Sequence, residues 1–364
     1  MIEDNGQVNE FNEEKVIDSV LVKCRNCGAN MVFDPNTQSL YCSHCETRIS
    51  FNDDSVGEEI ELSIEHFSDS SNKDEESAVF LCENCNAKIV LNKNQTSTIC
   101  PFCGTSHVSK TENLKGVKPN AIVPFNFGGE KAIEFAKRWA KKRLYAPRKF
   151  KKSLSTENVK GVYYPSFTFD SYTDSQYNGR IGKTYTRTVG SGKNKRVETY
   201  TVWRNISGTY YSRFDDVLVT AGEKIDQRSI DKLSPFSTNE SKQYQENYLL
   251  GYSAYHYDKN IDACWTDAKT YIDKSLRYQI LSQYSYDKVS YLNVSTKHSN
   301  VTFKYLMLPI YVGNFLFGKK SFNFYINGRT GKVIGKTPVS ILKVLFTIFC
   351  SVGLVALLYF LMFS

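Results

Sequence analysis

The sequence predicts an α+β fold with two small cysteine-rich modules, a β-dominated body and one C-terminal apolar helix. Three observations indicate it: four CxxC pairs near the N-terminus, a long stretch rich in aromatic and β-branched residues, and an uncharged apolar run at the end. A chain of 364 residues is long enough for two or three domains. The predicted segments are an acidic disordered leader (1–22), module 1 (23–50), an acidic linker (51–79), module 2 (80–110), the body (118–338) and the helix (341–363).

Eight cysteines form an internal repeat, because the first quartet recurs in the second at a constant offset of 58 residues. In both copies 14 residues separate the two CxxC pairs, enough for a short hairpin. Each pair offers two sulfurs from one turn, so two pairs complete the tetrahedron that Zn²⁺ prefers and leave no open position for a catalytic water. The spacing predicts two structural Zn²⁺ ions, bound by Cys24, Cys27, Cys42, Cys45, Cys82, Cys85, Cys100 and Cys103.

Residues around the pairs favour zinc knuckles over disulfides. Gly28 and Gly104 follow two of the pairs and permit a left-handed turn, while Glu46 and Asn86 replace glycine in the other two and are expected to be tolerated. A disulfide framework needs an oxidising compartment, and the acidic, polar first twenty residues do not predict a signal peptide. His44 and His107 are interpreted as bystanders.

Charge is divided unevenly along the chain. Residues 1–114 contain 8 Lys/Arg and 20 Asp/Glu, a net charge of −12, whereas residues 115–364 contain 38 and 18, a net charge of +20. A basic body favours anionic partners such as lipid headgroups or nucleic acid. The alternative is that the acidic N-terminal arm partly neutralises the body within the same molecule.

The body is predicted to contain many strands and two long helices. The helices are expected at 129–144, with Leu144 on the apolar face, and at 262–283. The main strands are expected at 161–172, 177–189, 197–211, 287–295, 301–312, 314–326 and 332–334. Pro165 and Pro309 fall inside two of them, which implies edge or bulge positions.

The apolar run from 344 to 363 has 20 residues without a charge, the length of a membrane-spanning helix. Lys332, Lys336 and Lys343 precede it, so the positive-inside rule predicts a single-pass protein of the cell membrane with a cytoplasmic body. Reduced cysteines agree with that compartment.

A basic patch lies between residues 137 and 152, with aromatic residues interleaved. It is interpreted as an anion-binding or lipid-binding surface or as a solvated helix face, in preference to a nucleic-acid site. Its members are Lys137, Arg138, Lys141, Lys142, Arg143, Arg148, Lys149, Lys151 and Lys152.

No catalytic residue is predicted. The glycine-rich segments 179–184, 190–194 and 331–337 depart from a phosphate-binding loop in spacing or composition and lie in strand-and-turn context. Five histidines, two of them inside the modules, support no nucleophile–base arrangement.

The quartets CRNCG…CSHC and CENC…CPFCG resemble transcription-factor-B-type zinc ribbons. The whole layout, and Leu308 to Pro338 above all, resembles a group of uncharacterised Gram-positive bacterial proteins with N-terminal ribbons, a β-rich body and a membrane helix. Such proteins are sometimes named after the primosomal replication-restart helicase, but helicase motifs are absent from this sequence. The resemblance implies zinc and a membrane anchor and brings no activity.

These features favour a non-enzymatic, membrane-tethered protein whose ribbons swing on the acidic linker and recruit a cytoplasmic protein partner. Two alternatives remain open at this point. One is a nucleic-acid-binding protein that uses the ribbons and the 137–152 patch. The other is an enzyme with an unrecognised site in the body.

Overall fold

The computed structural model describes residues 22–50, 55–63, 79–90, 99–106, 108–110, 118–152, 154–155, 159–317 and 320–363. The strands are β1 (Met31–Asp34), β2 (Ser39–Cys42), β3 (Arg48–Ser50), β4 (Ile60–Glu61), β5 (Val79–Cys82), β6 (Lys88–Val90), β7 (Val108–Lys110), β8 (Ala121–Ile122), β9 (Val159–Val189), β10 (Arg196–Thr220), β11 (Lys242–Gln243), β12 (Ser253–Tyr255), β13 (Lys288–Phe317), β14 (Lys320–Asn327) and β15 (Val333–Gly335). The α-helices are α1 (Gly129–Lys141), α2 (Arg148–Lys152), α3 (Gln227–Leu233), α4 (Ile261–Ser282) and α5 (Ile341–Phe363). The predicted α+β fold class is confirmed.

Three very long antiparallel strands form the centre of the body, in the order β10–β9–β13. The sequence predicted two strands where β9 runs unbroken, because the polar residues around 170–178 look like a turn. Flanking strands on both sides supply partners that keep this stretch in the ladder. Ser175 is hydrogen-bonded through its hydroxyl to Thr296 at 3.0 Å, and the Tyr177 hydroxyl to that of Tyr284 at 2.6 Å.

The first half of β9 is buried on both faces, which explains its near-continuous run of aromatic and β-branched residues. Tyr163 and Phe169 belong to a hydrophobic cluster that includes residues of α1 and α4. Tyr164, on the opposite face, packs in a second cluster with Ile230 of α3. Both predicted helices are present, but Leu144 is 76% exposed because α1 ends at Lys141.

Each proline of the long strands lies where one flanking strand ends. Pro165 comes one residue beyond the last β9–β10 register pair, and Pro309 one residue before the first β13–β14 pair. A missing backbone N–H is tolerated at such a position, as predicted.

Both cysteine modules pack against the body. In module 1, β1, β2 and β3 form a separate sheet, and the Phe33 N–H donates to the Leu250 carbonyl at 2.9 Å. In module 2, β6 pairs with β12, which itself pairs with β9, so this module extends the body's sheet. The interpretation of ribbons that swing freely is therefore corrected, since backbone pairing and core packing hold both in place.

Residues 55–63, within the predicted linker, also lie on the body. Strand β4 pairs with β13, and the Gly57 N–H donates to the Ser241 carbonyl at 3.1 Å. A Cβ at Gly57 would approach that of Ala121 to 2.6 Å, so this contact requires glycine. One acidic side chain here also has partners on the body: Glu59 accepts from the Thr302 hydroxyl at 3.0 Å and lies 3.5 Å from the Lys304 ammonium.

Beyond Gly182 the β9–β10 hairpin continues without β13 as a two-stranded projection, residues 183–203, here called the distal hairpin. Its side chains are mostly exposed, and among them Tyr185 is 44%, Tyr200 45% and Val202 51% exposed. Strand β9 begins at the opposite end of the body, beside β13, β14 and α1.

Helix α5 follows β15 and is exposed on all sides, with Ile341–Met362 long and apolar enough to cross a membrane. The loop that follows α1 contacts the first turn of α5. The Ser340 N–H donates to the Tyr145 carbonyl at 2.8 Å, and the Lys343 ammonium donates to the carbonyls of Leu144 and Ala146 at 3.1 and 2.6 Å. The apolar helix is thus attached directly to the segment that carries the 137–152 patch.

Candidate functional site

Each CxxC pair forms the same tight turn. In module 1 the Gly28 N–H donates to the Cys24 carbonyl at 2.8 Å, and the Glu46 N–H donates to that of Cys42 at 2.9 Å. In module 2, Asn86 and Gly104 make the equivalent bonds to Cys82 and Cys100. All four residues have a left-handed backbone, with φ of 73°, 61°, 55° and 74° in chain order. The two knuckles that lack glycine therefore adopt the glycine conformation, as expected.

These turns bring each cysteine quartet together. Within each quartet all four Sγ atoms lie within 4.8 Å of one another. The Cys24–Cys45 and Cys27–Cys42 sulfurs are 3.4 and 3.5 Å apart, and the matching pairs of module 2 are 3.5 and 3.7 Å apart. Sulfurs around a zinc ion at 2.3 Å stand about 3.8 Å apart, so the donor set and spacing fit a tetrahedral metal.

The electrostatics of the clusters are compatible with a bound cation. Burial raises the pKa of Cys85 to about 11, and burial together with the charges of Cys85 and Cys103 raises that of Cys100. The Thr47 hydroxyl, 3.1 Å from the Cys45 sulfur, and its backbone N–H lower the pKa of Cys45 to about 5. Four adjacent thiolates repel one another, and a divalent ion removes that cost.

The other histidines and cysteines considered from sequence stand outside the clusters. His44 is exposed next to Cys45, and His107 lies outside the described residues. Cys264 is completely buried in the body, where desolvation raises its thiol pKa to about 12, and Cys350 is exposed on α5. Neither of these two cysteines joins a metal-binding group among the described residues.

Specific body side chains hold module 2. The Asn314 amide donates to the Phe102 carbonyl at 3.0 Å, and the Lys224 ammonium donates to the Cys85 carbonyl. The Phe102 ring packs edge-on against Tyr255 with centroids 5.2 Å apart. Cluster geometry and docking are therefore linked, because Phe102 lies between two ligands of the same knuckle.

Module 1 is held mainly by packing. The Phe33 ring, only 3% exposed, lies edge-on to Tyr248 with centroids 5.1 Å apart. The Gln38 amide donates to the Phe125 carbonyl at 2.8 Å. Gly251, with φ of 89°, lets the chain turn close to Val32. The apolar face of this hairpin is thereby used inside the molecule.

The structure places the nine cations of the 137–152 patch on α1, α2 and the loop between them. Lys151 is half-buried and the other eight are exposed. The chain from 135 to 156 contains no acidic residue. The Arg143 guanidinium lies over Trp139 at 5.0 Å, and the buried Phe150 anchors α2. The result is a cationic segment attached to the start of α5.

Sequence reasoning missed the residues that complete these sites: Thr47, Lys224, Asn314 and Lys343 in its carbonyl-binding role. A threonine two residues after the last cysteine recurs as Thr105 in module 2, and this signal was readable from the repeat. Asn314 and Lys224 lie 212 and 139 residues from their acceptors, a distance that no local pattern reveals.

The fold and the clusters define a class: a strand-rich α+β protein with two N-terminal four-cysteine clusters and a C-terminal helix apolar enough to cross a membrane. The chain is 30% identical over 323 residues to the uncharacterized protein YdjG of Bacillus subtilis (strain 168), a match covering 87% of this chain and 90% of that protein. It belongs to the same family as YdjG. No family model and no solved structure matches the chain.

Proposed function

We propose that this chain is a single-pass membrane protein with two structural zinc ions, whose cytoplasmic body is a non-enzymatic binding or recruitment module. The observation that carries the proposal is the combination of two preassembled four-cysteine clusters with an apolar helix exposed on all sides. Four thiolates saturate zinc, which favours a structural role over catalysis at these sites. Lys332 and Lys336 before α5, and Lys343 in its first turn, favour a cytoplasmic body.

Zinc in this arrangement acts on the body as well as on the ribbons. Met31 and Phe33 of module 1 belong to one hydrophobic cluster of the body, and Ile89 and Phe102 of module 2 belong to the other. A metal that fixes each hairpin therefore also fixes part of the body's core.

The distal hairpin is the recruitment surface that we favour, since the apolar faces of the ribbons are already packed against the body. Residues 183–203 contain five Lys/Arg and a single acid, Glu198, which pairs with Arg187 and Arg196 at 3.2 and 2.9 Å. A two-stranded hairpin has little stability of its own, so exposed aromatics here favour a partner. The charge favours a protein with an acidic surface.

Fractionation and metal analysis test the anchor and the zinc. We expect the full chain in the membrane fraction with about two zinc ions per molecule. Cys24→Ser and Cys82→Ser should each lose one ion, and Cys350→Ser, outside both clusters, should lose none. Recovery of the intact chain in the soluble fraction without detergent would refute the anchor, and a metal content far below two would refute the zinc sites.

Co-purification from a detergent extract tests recruitment. We expect Tyr185→Ser combined with Tyr200→Ser to lose an acidic protein that the parent chain retains. Tyr211→Ser, also on an exposed position of β10 but outside the distal hairpin, should retain it. An unchanged set of partners in the double variant would contradict this role, as would loss of the bound material on nuclease treatment.

A further inference from the structure

The loop that follows α1 is fixed to the apolar helix by three hydrogen bonds, from Ser340 and Lys343 to carbonyls of residues 144–146. These bonds make the 137–152 surface and the start of α5 one structural unit. If α5 spans a bilayer, the surface cannot move away from the lipid headgroups unless these hydrogen bonds break.

Apolar side chains occupy the same level as this junction. Leu144 is 76% exposed and Tyr145 41%, next to Ile341 and Leu342 at 74% and 80%. Leucine and tyrosine side chains near the end of a membrane helix are typical of the membrane–water interface. There the apolar part of the side chain enters the edge of the acyl region, and the tyrosine hydroxyl stays in water. Their exposure is costly in water and is relieved there.

The cations of the surface have no acidic neighbours along the chain to neutralise them, since the sequence from 135 to 156 lacks Asp and Glu. Arg138 and Arg143 stack on Phe135 and Trp139, with guanidinium-to-ring distances of 5.6 and 5.0 Å. Stacking restricts these long side chains and lowers the entropy lost when an anion binds.

We propose that the 137–152 surface binds the phosphate groups of anionic lipids and thereby seats the body on the membrane. The inference rests on the proposed membrane anchor and adds to it a second, electrostatic contact of defined chemistry. Each cation near an anionic bilayer contributes about 1 kcal/mol. The body is then held at two places and cannot rotate freely about α5.

The distal hairpin also carries a net positive charge and provides a natural comparison. About twenty residues of β9 separate Gly161 from Gly182, which corresponds to roughly 70 Å of strand. The hairpin thus lies at the end of the long strands remote from α5, and its lysines report on a cationic surface that is not attached to the anchor.

Lysine footprinting of the full-length protein in nanodiscs tests the proposal. A water-soluble amine-reactive reagent is applied in discs of phosphatidylcholine alone and in discs that also contain phosphatidylglycerol. We expect Lys141, Lys142 and Lys149 to react about fivefold more slowly in the anionic discs, the factor that corresponds to about 1 kcal/mol, and the difference to vanish in high salt. Lys183 and Lys195 of the distal hairpin should react equally in both.

Equal reactivity of the 137–152 lysines in the two kinds of disc would overturn the lipid contact, as would the same protection at the distal hairpin. Protection by added nucleic acid in neutral discs, with none from anionic lipid, would assign the surface to nucleic acid instead. If the chain does not enter nanodiscs, the membrane anchor is refuted, and this inference fails with it. That outcome can be told apart from failure of the lipid contact alone, because no protein then migrates with the discs.

A variant pair provides a second readout. Replacing Arg138, Arg143 and Arg148 by Gln leaves every lysine available for labelling and should reduce the lipid-dependent protection of Lys141 and Lys149. The matched control replaces Arg180, Arg187 and Arg196 by Gln and should leave it unchanged. Undiminished protection in the first variant would show that the arginines take no part, contrary to the proposal.

Discussion

The left-handed residue after each CxxC pair permits a quantitative test of the zinc knuckles. Gly28 and Gly104 hold this position in two knuckles, and Glu46 and Asn86 hold it in the others, all at φ between 55° and 74°. A residue with a Cβ is disfavoured there by roughly 1–2 kcal/mol, least for Asn. Glu46→Gly should therefore stabilise metal-bound module 1, and Gly28→Ala should destabilise it.

The magnitude follows from the surroundings of the two sites. A Cβ built on Gly28 meets no atom within 4 Å, so its cost is conformational and not a clash. Glycine's additional freedom in the unfolded chain offsets roughly 0.5–1 kcal/mol of the difference. The net effect is about 0.5–1 kcal/mol in each direction, which is about a two- to fivefold change in zinc affinity.

Competition with a chelator measures this change in the full-length protein in detergent. Alkylation of released thiols, read by mass spectrometry, distinguishes the cysteines of module 1 from those of module 2. Module 2 is the internal reference and should release zinc at the parental chelator concentration in both variants. The reasoning is refuted if Glu46→Gly binds zinc no more tightly than the parent and Gly28→Ala no more weakly.

Three further predictions concern the body. Phe102→Ala removes a ring packed on Tyr255 and should lower the free energy of unfolding by about 3–5 kcal/mol, measured by denaturant titration. Burial and nearby carboxylates raise the pKa of Asp170 to about 6. The native state therefore binds this proton more tightly than the unfolded chain does, and the free energy of unfolding should fall as pH rises from about 4 to 6. Asp170→Asn should flatten this pH dependence, measured by thermal melts across the same range. Lys343→Met should lose both carbonyl contacts and speed amide exchange in residues 143–146, whereas Lys336→Met should not.

The sequence predicted those features whose signal is local. The CxxC spacing predicted which cysteines meet, since the two turns and their 14-residue separation lie within one short segment. Helical periodicity located α1 and α4 to within three residues at each end. The proline positions were also readable, because a missing N–H restricts where a strand neighbour can lie.

The arrangement of these elements was not predictable, because it depends on contacts between distant parts of the chain. Asn314 reaches the Phe102 carbonyl across 212 residues and Lys343 reaches that of Ala146 across 197. The continuity of β9 through its polar centre has the same origin, since the partners that keep Ser175 in the ladder lie on other strands. A pattern of residue types shows which groups need partners but not where those partners are.

The division of the core between ribbons and body determines what zinc loss would do. Strands β1 and β2 have four residues each and β3 has three, too few to hold a separate hydrophobic core. Yet Phe33 is 3% exposed and Phe102 4%, so each ribbon completes the core of the body. A chelator that unfolds a ribbon should therefore also expose Tyr248 or Tyr255 beneath it. We therefore expect each ribbon to respond together with the part of the core that it completes, so a substitution beneath one ribbon should change the metal affinity of that ribbon.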